Sequence, residues 1–422
     1  MTDDRQAVLI IGGGFAGLTA AQQLDRHKFS VTLLDRRNFH LFQPLLYQVA
    51  TGSLDASDIA TPLREILVDS GVRVLMEEAV SIDTATKCVT TLAGNRYTFD
   101  YLIVATGVWH SYFGHDDWRA FAGGLKTLED AFRMRAKILS ALEMAERQTQ
   151  DSGTKRHLRF VVIGGGPTGV EIAGAVGELT GKSIAREFSK VNPGAAEVIL
   201  LEAGPRILAQ YSAGLAADAE SRLNRLGVTV KAGCKVTAID AHGVSVEDDG
   251  VPGVIDCATV IWAAGVQVPT FGRHLLDVTN STPAAGGRSA VDADFRLPNQ
   301  PHIFVIGDLA SYSHEGSLLP GLAPAAQQAG AHVAGVLNGK VKSPFHYVSH
   351  GQLAVIGRNA AVGVVMGREV KGFLAWILWV FVHIQGLIGF DVKIKVMLSW
   401  AWKYLTTRFG TRLITRLGDE TP

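Results

Sequence analysis

Two glycine-rich motifs in this chain have the spacing that brings a backbone close to a pyrophosphate. Both read G-x-G-x-x-G, the first at residues 12–17 and the second at 164–169. Each follows a short apolar run, at 7–11 or 160–163, and precedes a helix-like stretch. The glycines permit a sharp turn, close approach of a phosphate, and tight packing of helix on strand. The helix N-terminus then offers free N–H groups to an anion.

An acidic residue follows each motif at the end of a second apolar run. Asp35 comes 18 residues after the first motif, and Glu202 comes 33 residues after the second. Because the usual spacing is about 20 residues, we expect an insertion around 181–194. Each acid would accept ribose hydroxyls. Glu202 would repel a 2′-phosphate, which favours NAD(H) over NADP(H), although Arg206 lies four residues further on.

The elements that must position these motifs occur twice in the same order. Each unit has a strand, a glycine turn, a helix, a strand with its acid, and a later strand ending at Ala105-Thr106-Gly107 or Ala263-Ala264-Gly265. Apolar periodicity predicts a helix over 125–147. We interpret 38–51 as an aromatic-rich loop and 151–154 as a polar linker. The pattern is an internal duplication of fold.

The duplication predicts an α/β protein with two Rossmann-like dinucleotide-binding domains and a C-terminal helical region. We expect residues 1–113 with 270–345 in the first domain, 114–269 in the second, and 346–422 in the C-terminal region. A buried strand at 303–306 precedes Asp308, which would meet a cofactor at the carboxyl edge of the sheet. Residues 324–337 predict a helix with proline in its first turn.

Charge and cysteine content exclude several classes of protein. Lys plus Arg and Asp plus Glu each number 40, so no global basic field indicates nucleic-acid binding. The three cysteines, Cys88, Cys234 and Cys257, form no C-x-x-C pair. We therefore interpret them as inert thiols in an intracellular protein without a disulfide framework.

The C-terminal region changes composition after Lys371. Residues 373–390 contain His383 and Gln385 as their only conventional polar residues, and 371–417 carry seven Lys or Arg and one Asp. Aromatic and basic residues mixed on amphipathic helices suit an anionic lipid surface. We favour a monotopic anchor there; a buried homodimer interface and a single membrane span are the alternatives. His383 is interpreted as a packed or capping residue.

These features resemble the type II NADH dehydrogenases, single-subunit NADH:quinone oxidoreductases within the two-dinucleotide-binding flavoproteins. The resemblance covers nearly the whole chain. The motifs that carry it beyond the glycine turns are NFHLFQPLLYQVATG at 38–52, GGGPTGVEIAG at 164–174, LLEAGPRIL at 200–208, APAAQQAG at 323–330 and VHIQGLIGF at 382–390.

The resemblance implies FAD in the first site and NADH in the second. By motif, FAD would be held by Gly12, Gly13, Gly14, Phe15, Ala16, Gly17, Asp35, Arg36, Val80, Ala105, Thr106, Gly107, Asp308 and Ala326. NADH would be held by Gly164, Gly166, Gly169, Glu202, Ala264 and Gly265. Glu171 would lie beside the nicotinamide, and Ala326, Gln327 and Gln328 beside the isoalloxazine and the quinone entrance. One of Lys393 and Lys395 would reach the flavin.

The implied function is non-proton-pumping oxidation of NADH through FAD by a membrane quinone, menaquinone or ubiquinone. The enzyme would lie peripherally on the cytoplasmic face of the cell inner membrane. Without paired cysteines, the chain does not fit disulfide reductases, sulfide:quinone oxidoreductases or cysteine-dependent water-forming oxidases. A soluble FAD-dependent NADH oxidase or diaphorase and a nucleotide-sensing flavoprotein remain the alternatives.

Overall fold

The computed structural model describes residues 4–147, 152–183, 187–189, 191, 195–314, 316–406 and 411–414. Its contacts divide the chain into two compact units. Unit 1 comprises Met1–Leu41, Ala60–Trp109 and Val266–Ser349, and unit 2 comprises Phe42–Ile59, His110–Gly265 and His350–Pro422. The C-terminal region is thus grouped with unit 2. The three-part division predicted above stays a prediction.

The described helices fall in both units. In chain order they are α1 (Phe15–Gln23), α2 (Leu46–Ala50), α3 (Leu63–Ile66), α4 (Leu128–Arg147), α5 (Ser152–His157), α6 (Pro167–Glu178), α7 (Ala213–Arg225), α8 (Thr270–Val278), α9 (Ala323–Leu337), α10 (Gly372–Gly386) and α11 (Phe390–Thr406). Short 3-10 turns occur at Gln43–Leu45, Ala56–Asp58, Asp116–Ala120, Ala285–Gly287 and Gly307–Leu309. Short strands outside the larger sheets are Phe39–Leu41, Ala60–Pro62, Trp109–His110, Val266–Gln267, Ser289–Ala290, Ala310–Ser311, Ser313–His314 and Ser317–Leu318.

A six-stranded sheet forms the centre of unit 1. From edge to edge its strands are Arg296–Leu297, Gln300–Val305, Tyr101–Val104, Gln6–Ile11, Phe29–Asp35 and Arg73–Met76. The pairings are parallel except at the Arg296–Leu297 edge. Buried parallel strands carry continuous apolar runs, which explains the sequence of the central strands. A smaller antiparallel sheet contains Ala79–Asp83, Cys88–Thr91 and Arg96–Thr98.

Unit 2 repeats this arrangement with a five-stranded parallel sheet. Its strands are Ala122–Gly124, Thr259–Trp262, Arg159–Ile163, Glu197–Glu202 and Val228–Ala232. In both units the strand before the glycine motif lies between two others. One of these ends in the acid, and the other precedes the turn at Ala105-Thr106-Gly107 in unit 1 or at Ala263-Ala264-Gly265 in unit 2. The predicted α/β fold and its internal duplication are therefore confirmed. An antiparallel sheet of Cys234–Asp240, Gly243–Asp248 and Val251–Asp256 completes this half.

Helix α9 packs against α1 in unit 1 at very short range. A Cβ on Gly330 would overlap the carbonyl oxygen of Ala16 and lie 3.2 Å from the Ala20 nitrogen. Ala16 and Ala20 are themselves buried. Small residues thus let the two helix backbones approach each other. The predicted helix over 324–337 is confirmed, with its first residue at Ala323.

Three local predictions were wrong. Residues 38–51 are not an irregular loop, because they form a short strand, a 3-10 turn and α2. The polar linker at 151–154 lies largely in α5, with residue 151 outside the described residues. The helix predicted from 125 begins at Leu128, because the Asp130 carboxylate accepts the Lys126 and Thr127 N–H groups. Of the predicted insertion, Arg186, Lys190 and Pro193 lie outside the described residues.

The C-terminal region of unit 2 begins with a sheet that the sequence reasoning missed. Strands Gly351–Gly357, Ala360–Val365 and Arg368–Lys371 pair antiparallel. Helices α10 and α11 follow, separated by a break in which Gly389 has a φ of +90°. The apolar run at 373–390 is consequently not one helix. Among the described residues, no helix combines the length and apolar character needed to cross a bilayer.

Candidate functional site

In unit 1 the first cradle, residues 12–17, joins the strand Gln6–Ile11 to α1. Gly12 has a φ of +104°, which glycine adopts without strain, and donates its N–H to the Leu34 carbonyl at 2.8 Å. A Cβ on Gly17 would overlap the Gly12 carbonyl oxygen. Among the described atoms, nothing lies within 4 Å of a Cβ built on Gly14, the N-cap of α1. This open helix N-terminus is suited to a phosphate.

Asp35 braces the first cradle from the end of the neighbouring strand. Its Oδ2 accepts the Gly13 N–H at 2.6 Å, and its Oδ1 accepts the Arg37 N–H at 2.8 Å. His40, which the sequence reasoning missed, is buried with Nδ1 2.9 Å from the Gly13 carbonyl oxygen. Burial lowers the pKa of His40, and its ring contacts Phe15 edge to face. A histidine inside an aromatic-rich segment was its only sequence signal.

The remaining predicted FAD residues of unit 1 lie beyond strand ends or in irregular backbone. The Ala105 N–H donates to Ile11 at 2.8 Å, and the next residue, Thr106, buries a hydroxyl with no hydrogen-bond partner among the described atoms. Asp308 is half-buried in the turn Gly307–Leu309. Val80 stands at a bulge, where register shifts between its two neighbours, so its backbone is outside the regular ladder.

Further contacts surround these positions in unit 1. The Arg36 guanidinium lies 4.5 Å from the centre of the Trp109 ring. Gly107 and Gly307 have φ values of +65° and +71°. A Cβ on Gly307 would lie 3.2 Å from that of Ala16 and 3.9 Å from that of Ala326. These small residues therefore keep the surface between α1 and α9 free of side-chain bulk.

Unit 2 contains a second cradle, residues 164–169, with the same construction. Gly164 has a φ of +110° and donates its N–H to the Leu201 carbonyl at 2.8 Å. A Cβ on Gly169 would overlap the Gly164 carbonyl oxygen, while the space around Gly166 is open among the described atoms. Pro167, at the start of α6, lacks an N–H that would be unpaired there anyway. The second cradle is therefore also preformed for a pyrophosphate.

Glu202 braces the second cradle as Asp35 braces the first. Its Oε2 accepts the Gly165 N–H and its Oε1 the Gly204 N–H, both at 2.6 Å. Arg206 donates instead to the carbonyls of Ala209 and Tyr211, at 2.9 and 3.0 Å. One nitrogen of its guanidinium, Nη2, is thus held in a local turn.

The predicted turn at Ala264 and Gly265 follows the strand Thr259–Trp262. Ala263 donates its N–H to Ile163 at 2.8 Å, as Ala105 does to Ile11 in the first unit. Gly265 has a φ of +69°, and a Cβ there would lie 2.5 Å from the Phe113 ring. Phe113 is exposed and was missed by the sequence reasoning, because no motif marks it.

The two glutamines of α9 in unit 1 have different environments. Gln328 is engaged at both ends of its amide: Nε2 donates to the Val348 carbonyl at 2.9 Å, and Oε1 accepts the Val348 N–H at 3.0 Å. Gln327 is exposed. Gln328 thus holds the backbone that follows the helix, and the side chain of Gln327 faces solvent.

Glu171 lies on α6 and lines a cavity of about 90 Å³ within unit 2. The cavity is walled by tyrosine, tryptophan, aliphatic and polar side chains, namely Tyr47, Gln48, Ser53, Ala175, Glu178, Val355, Gly357, Arg358, Trp376, Trp379, Val380 and Trp400. The Glu171 carboxylate accepts the Val355 N–H at 3.4 Å. Burial raises the pKa of Glu171 to about 8, against the opposing effect of that hydrogen bond. The side chain can therefore carry a proton at neutral pH.

The candidate lysines of α11 have partners within unit 2. Lys395 forms an ion pair with the buried Asp58, at 2.8 Å, and Lys393 donates to the Gln385 carbonyl at 3.1 Å. His383 has Nδ1 2.7 Å from the Trp379 carbonyl oxygen and stacks on the Trp379 ring. Burial lowers the pKa of His383 to about 4. Its interpretation as a packed residue is confirmed.

The outer faces of α10 and α11 expose many apolar side chains. We call this surface the C-terminal apolar face; it consists of Phe373, Leu374, Ile377, Phe381, Val382, Phe390, Ile394, Met397, Leu398, Trp402 and Leu405. Many large apolar side chains exposed on two successive helices are typical of an interaction site. The inner side of α10 buries Ala375 and Trp379 instead.

The cysteines are free and buried. Burial raises the pKa of the Cys257 thiol to about 11 and also raises that of Cys234, which disfavours the reactive thiolate. Within the described part of the chain, no cluster of three or more His, Cys, Asp or Glu side chains could hold a metal ion.

Comparison with known proteins agrees with this geometry. Residues 6–330 match the pyridine nucleotide-disulphide oxidoreductase family. The chain is 40% identical to the type II NADH:quinone oxidoreductase Ndh of Mycobacterium tuberculosis, covering 97% of this chain and 90% of the relative. It is 28% identical to the type II NADH:quinone oxidoreductase of Staphylococcus haemolyticus, over 88% and 92% of the two chains.

The fold also matches a solved structure. NDH2 from Plasmodium falciparum in complex with NADH superimposes with a TM-score of 0.88 at 20% identity, covering 98% of this chain and 100% of that one. That match supports the fold alone. The sequence relatives and the family match show that this chain belongs to the family of type II NADH:quinone oxidoreductases.

Proposed function

We propose that this protein oxidises NADH with a membrane quinone by means of bound FAD, without pumping protons. The observation that carries the proposal is the pair of preformed cradles, each with a carboxylate that accepts two backbone N–H groups. Accepting a hydride from NADH and passing two electrons to a quinone is the chemistry that bound FAD supplies. The protein itself binds and orients FAD, NADH and the quinone, and it supplies a proton.

The first cradle in unit 1 holds FAD in this proposal. The open N-terminus of α1 binds the pyrophosphate, and Asp35 faces the ribose. The buried hydroxyl of Thr106 has no hydrogen-bond partner among the described atoms, and a buried polar atom of this kind is usually satisfied. We assign it to FAD, together with the bulged backbone at Val80.

The second cradle in unit 2 holds NADH. Glu202 accepts the ribose hydroxyls and repels a 2′-phosphate. Nη2 of Arg206 is turned to the local backbone, where it donates to the carbonyls of Ala209 and Tyr211.

Quinone chemistry requires hydrogen-bond donors and protons. Gln327 is the better donor to a quinone carbonyl, since the amide of Gln328 is engaged by Val348. Burial disfavours the charged carboxylate of Glu171, so the side chain carries a proton below about pH 8 and loses it above that pH. We propose that this proton is delivered during quinone reduction.

The C-terminal apolar face places the enzyme on a membrane as a peripheral protein in this proposal. Apolar side chains of α10 and α11 enter the lipid interface, and the excess of Lys and Arg over Asp in 371–417 favours anionic headgroups. We propose the cytoplasmic face of the inner membrane, which fits three free thiols. A homodimer through the same face is the competing arrangement, and the quinone is menaquinone or ubiquinone.

Replacing Thr106 with Val tests the FAD assignment. We expect FAD affinity to fall by about fivefold, since one net hydrogen bond of about 1 kcal/mol is lost, while the apoprotein is no less stable. The measurement is fluorescence titration of apoprotein with FAD. Thr259→Val is the matched control, because Thr259 also buries an unpartnered hydroxyl but lies in unit 2. Equal FAD affinities for both variants would remove Thr106 from the site.

Replacing Glu202 with Ala tests the choice of nicotinamide cofactor. Without the carboxylate, the ratio of kcat/KM for NADH to that for NADPH should fall by roughly tenfold, about 1.4 kcal/mol. Steady-state kinetics with both cofactors provide the measurement. Glu197→Ala, at the start of the same strand, should leave the ratio unchanged. An unaltered ratio in the Glu202 variant would mean that another residue reads the ribose.

Stopped-flow kinetics test the overall reaction. Under anaerobic conditions, NADH should bleach the bound flavin, and a short-tailed quinone should restore its colour. Glu171→Gln should retain FAD and its reduction by NADH but slow quinone turnover by roughly 100-fold. The decline in wild-type turnover as pH rises through about 8 should also disappear.

Glu178→Gln is the control for that experiment, because Glu178 lines the same cavity. It should keep the decline near pH 8. A flavin that never responds to NADH would favour the nucleotide-sensing alternative. Reduction by NADH with no response to quinone would favour the diaphorase alternative.

Three substitutions on the C-terminal apolar face test membrane binding. Changing Leu374, Phe381 and Leu398 together to Ser should lower affinity for vesicles containing phosphatidylglycerol by at least about tenfold, as buried apolar area is lost. Co-sedimentation provides the measurement. The control changes Leu92, Val254 and Leu318 together to Ser. These residues are comparably exposed outside the C-terminal apolar face, so their replacement should have little effect on vesicle affinity. Equal loss in both triple variants would argue against this face as the anchor.

A further inference from the structure

One side of the cavity of unit 2 is lined by side chains that are joined in a row of hydrogen bonds. On α11, Trp400 donates its indole N–H to Oε1 of Gln48, at 2.9 Å. Nε2 of Gln48 then donates to the hydroxyl oxygen of Tyr47, also at 2.9 Å. Gln48 is thus the central residue of this row: its Oε1 accepts one hydrogen bond and its Nε2 donates the other. Gln48 and Tyr47 are buried.

The row connects segments that are far apart in sequence. Gln48 and Tyr47 belong to α2, whereas Trp400 belongs to the helix that carries the C-terminal apolar face. Trp400 stacks on Trp379 with ring centres 5.3 Å apart, and Trp379 stacks on His383 at 4.2 Å. The indole N–H of Trp379 is buried without a partner among the described atoms. This wall is therefore closely packed.

Glu171 lines the same cavity as these side chains. The other titratable groups around it are Tyr47 on α2, Glu178 on α6, Arg358 after the strand Gly351–Gly357, and Tyr211. Burial is the main cause of the raised pKa of Glu171, and it also raises the pKa of Tyr47 and Tyr211. Admission of water would therefore weaken the largest contribution to the proton affinity of Glu171.

We propose that Gln48 is a positioning residue for the quinone reaction: it holds Trp400 and Tyr47 across the cavity and thereby keeps water away from the Glu171 carboxyl. The catalytic consequence rests on the proposed function, in which Glu171 supplies a proton. The positioning itself is a property of unit 2. Replacing Gln48 by an apolar residue leaves the Trp400 N–H without its acceptor and the Tyr47 oxygen without its donor. The unpaired groups then favour an opening that admits water.

The test measures the protonation of Glu171 directly. Infrared pH titration of the full-length, FAD-loaded protein would follow the carbonyl band of a protonated carboxyl, assigned by its loss in Glu171→Gln. The wild-type midpoint is expected near pH 8. In Gln48→Leu we expect the midpoint to be lower by at least about one pH unit, a tenfold loss of proton affinity. The decline of quinone turnover with pH should move by the same amount.

Two further variants separate loss of the hydrogen bond from a general folding defect. Trp400→Phe removes the same hydrogen bond but keeps an aromatic ring, so it should lower the midpoint even if Gln48→Leu folds poorly. Trp402→Phe alters an exposed indole on the same helix and should leave the midpoint unchanged. An unshifted midpoint in folded Gln48→Leu or Trp400→Phe overturns the inference, as does a wild-type midpoint at the ordinary glutamate value. Absence of quinone turnover with shifted midpoints would instead contradict only the proposed function.

Discussion

The carbonyl oxygen of the first glycine in each cradle occupies the space that a Cβ on the third glycine would need. This close contact, Gly12 to Gly17 in unit 1 and Gly164 to Gly169 in unit 2, sets how near a helix can start to the end of its strand. The free N–H groups of the helix are then aimed over the carboxyl edge of the sheet. In either cradle, a side chain in place of the third glycine would push the helix away from its strand and remove the anion site of that cradle.

The carboxylates depend on that placement. Asp35 and Glu202 each accept a hydrogen bond from the backbone of the adjacent cradle. The donors are the N–H groups of Gly13 and Gly165, both at 2.6 Å. Such charge-assisted bonds are strong and fix the carboxylate orientation. In the proposed function each acid has two roles, because the side chain that shapes the turn would also present its negative charge to a ribose.

The sequence predicted the features that depend on neighbours along the chain. The glycine turns, the acids and the helix α9 all follow from local pattern, and the structure contains them. It did not predict the sheet from Gly351 to Lys371, in which glycine and alanine interrupt the apolar pattern of the first two strands. Nor could it predict the engagement of Gln328 with Val348 or the wall around Glu171. Those arise from tertiary contacts, and spacing within one segment carries no information about them.

The C-terminal helices show why the distinction matters for function. An apolar, aromatic stretch near basic residues indicates a lipid surface, and the outer side chains of α10 and α11 agree with that interpretation. The same helices also direct Trp376, Trp379 and Trp400 to the cavity beside Glu171. Aromatic content alone cannot separate these two roles. One pair of helices therefore supplies both the exposed apolar side chains and the tryptophans that line the cavity beside Glu171.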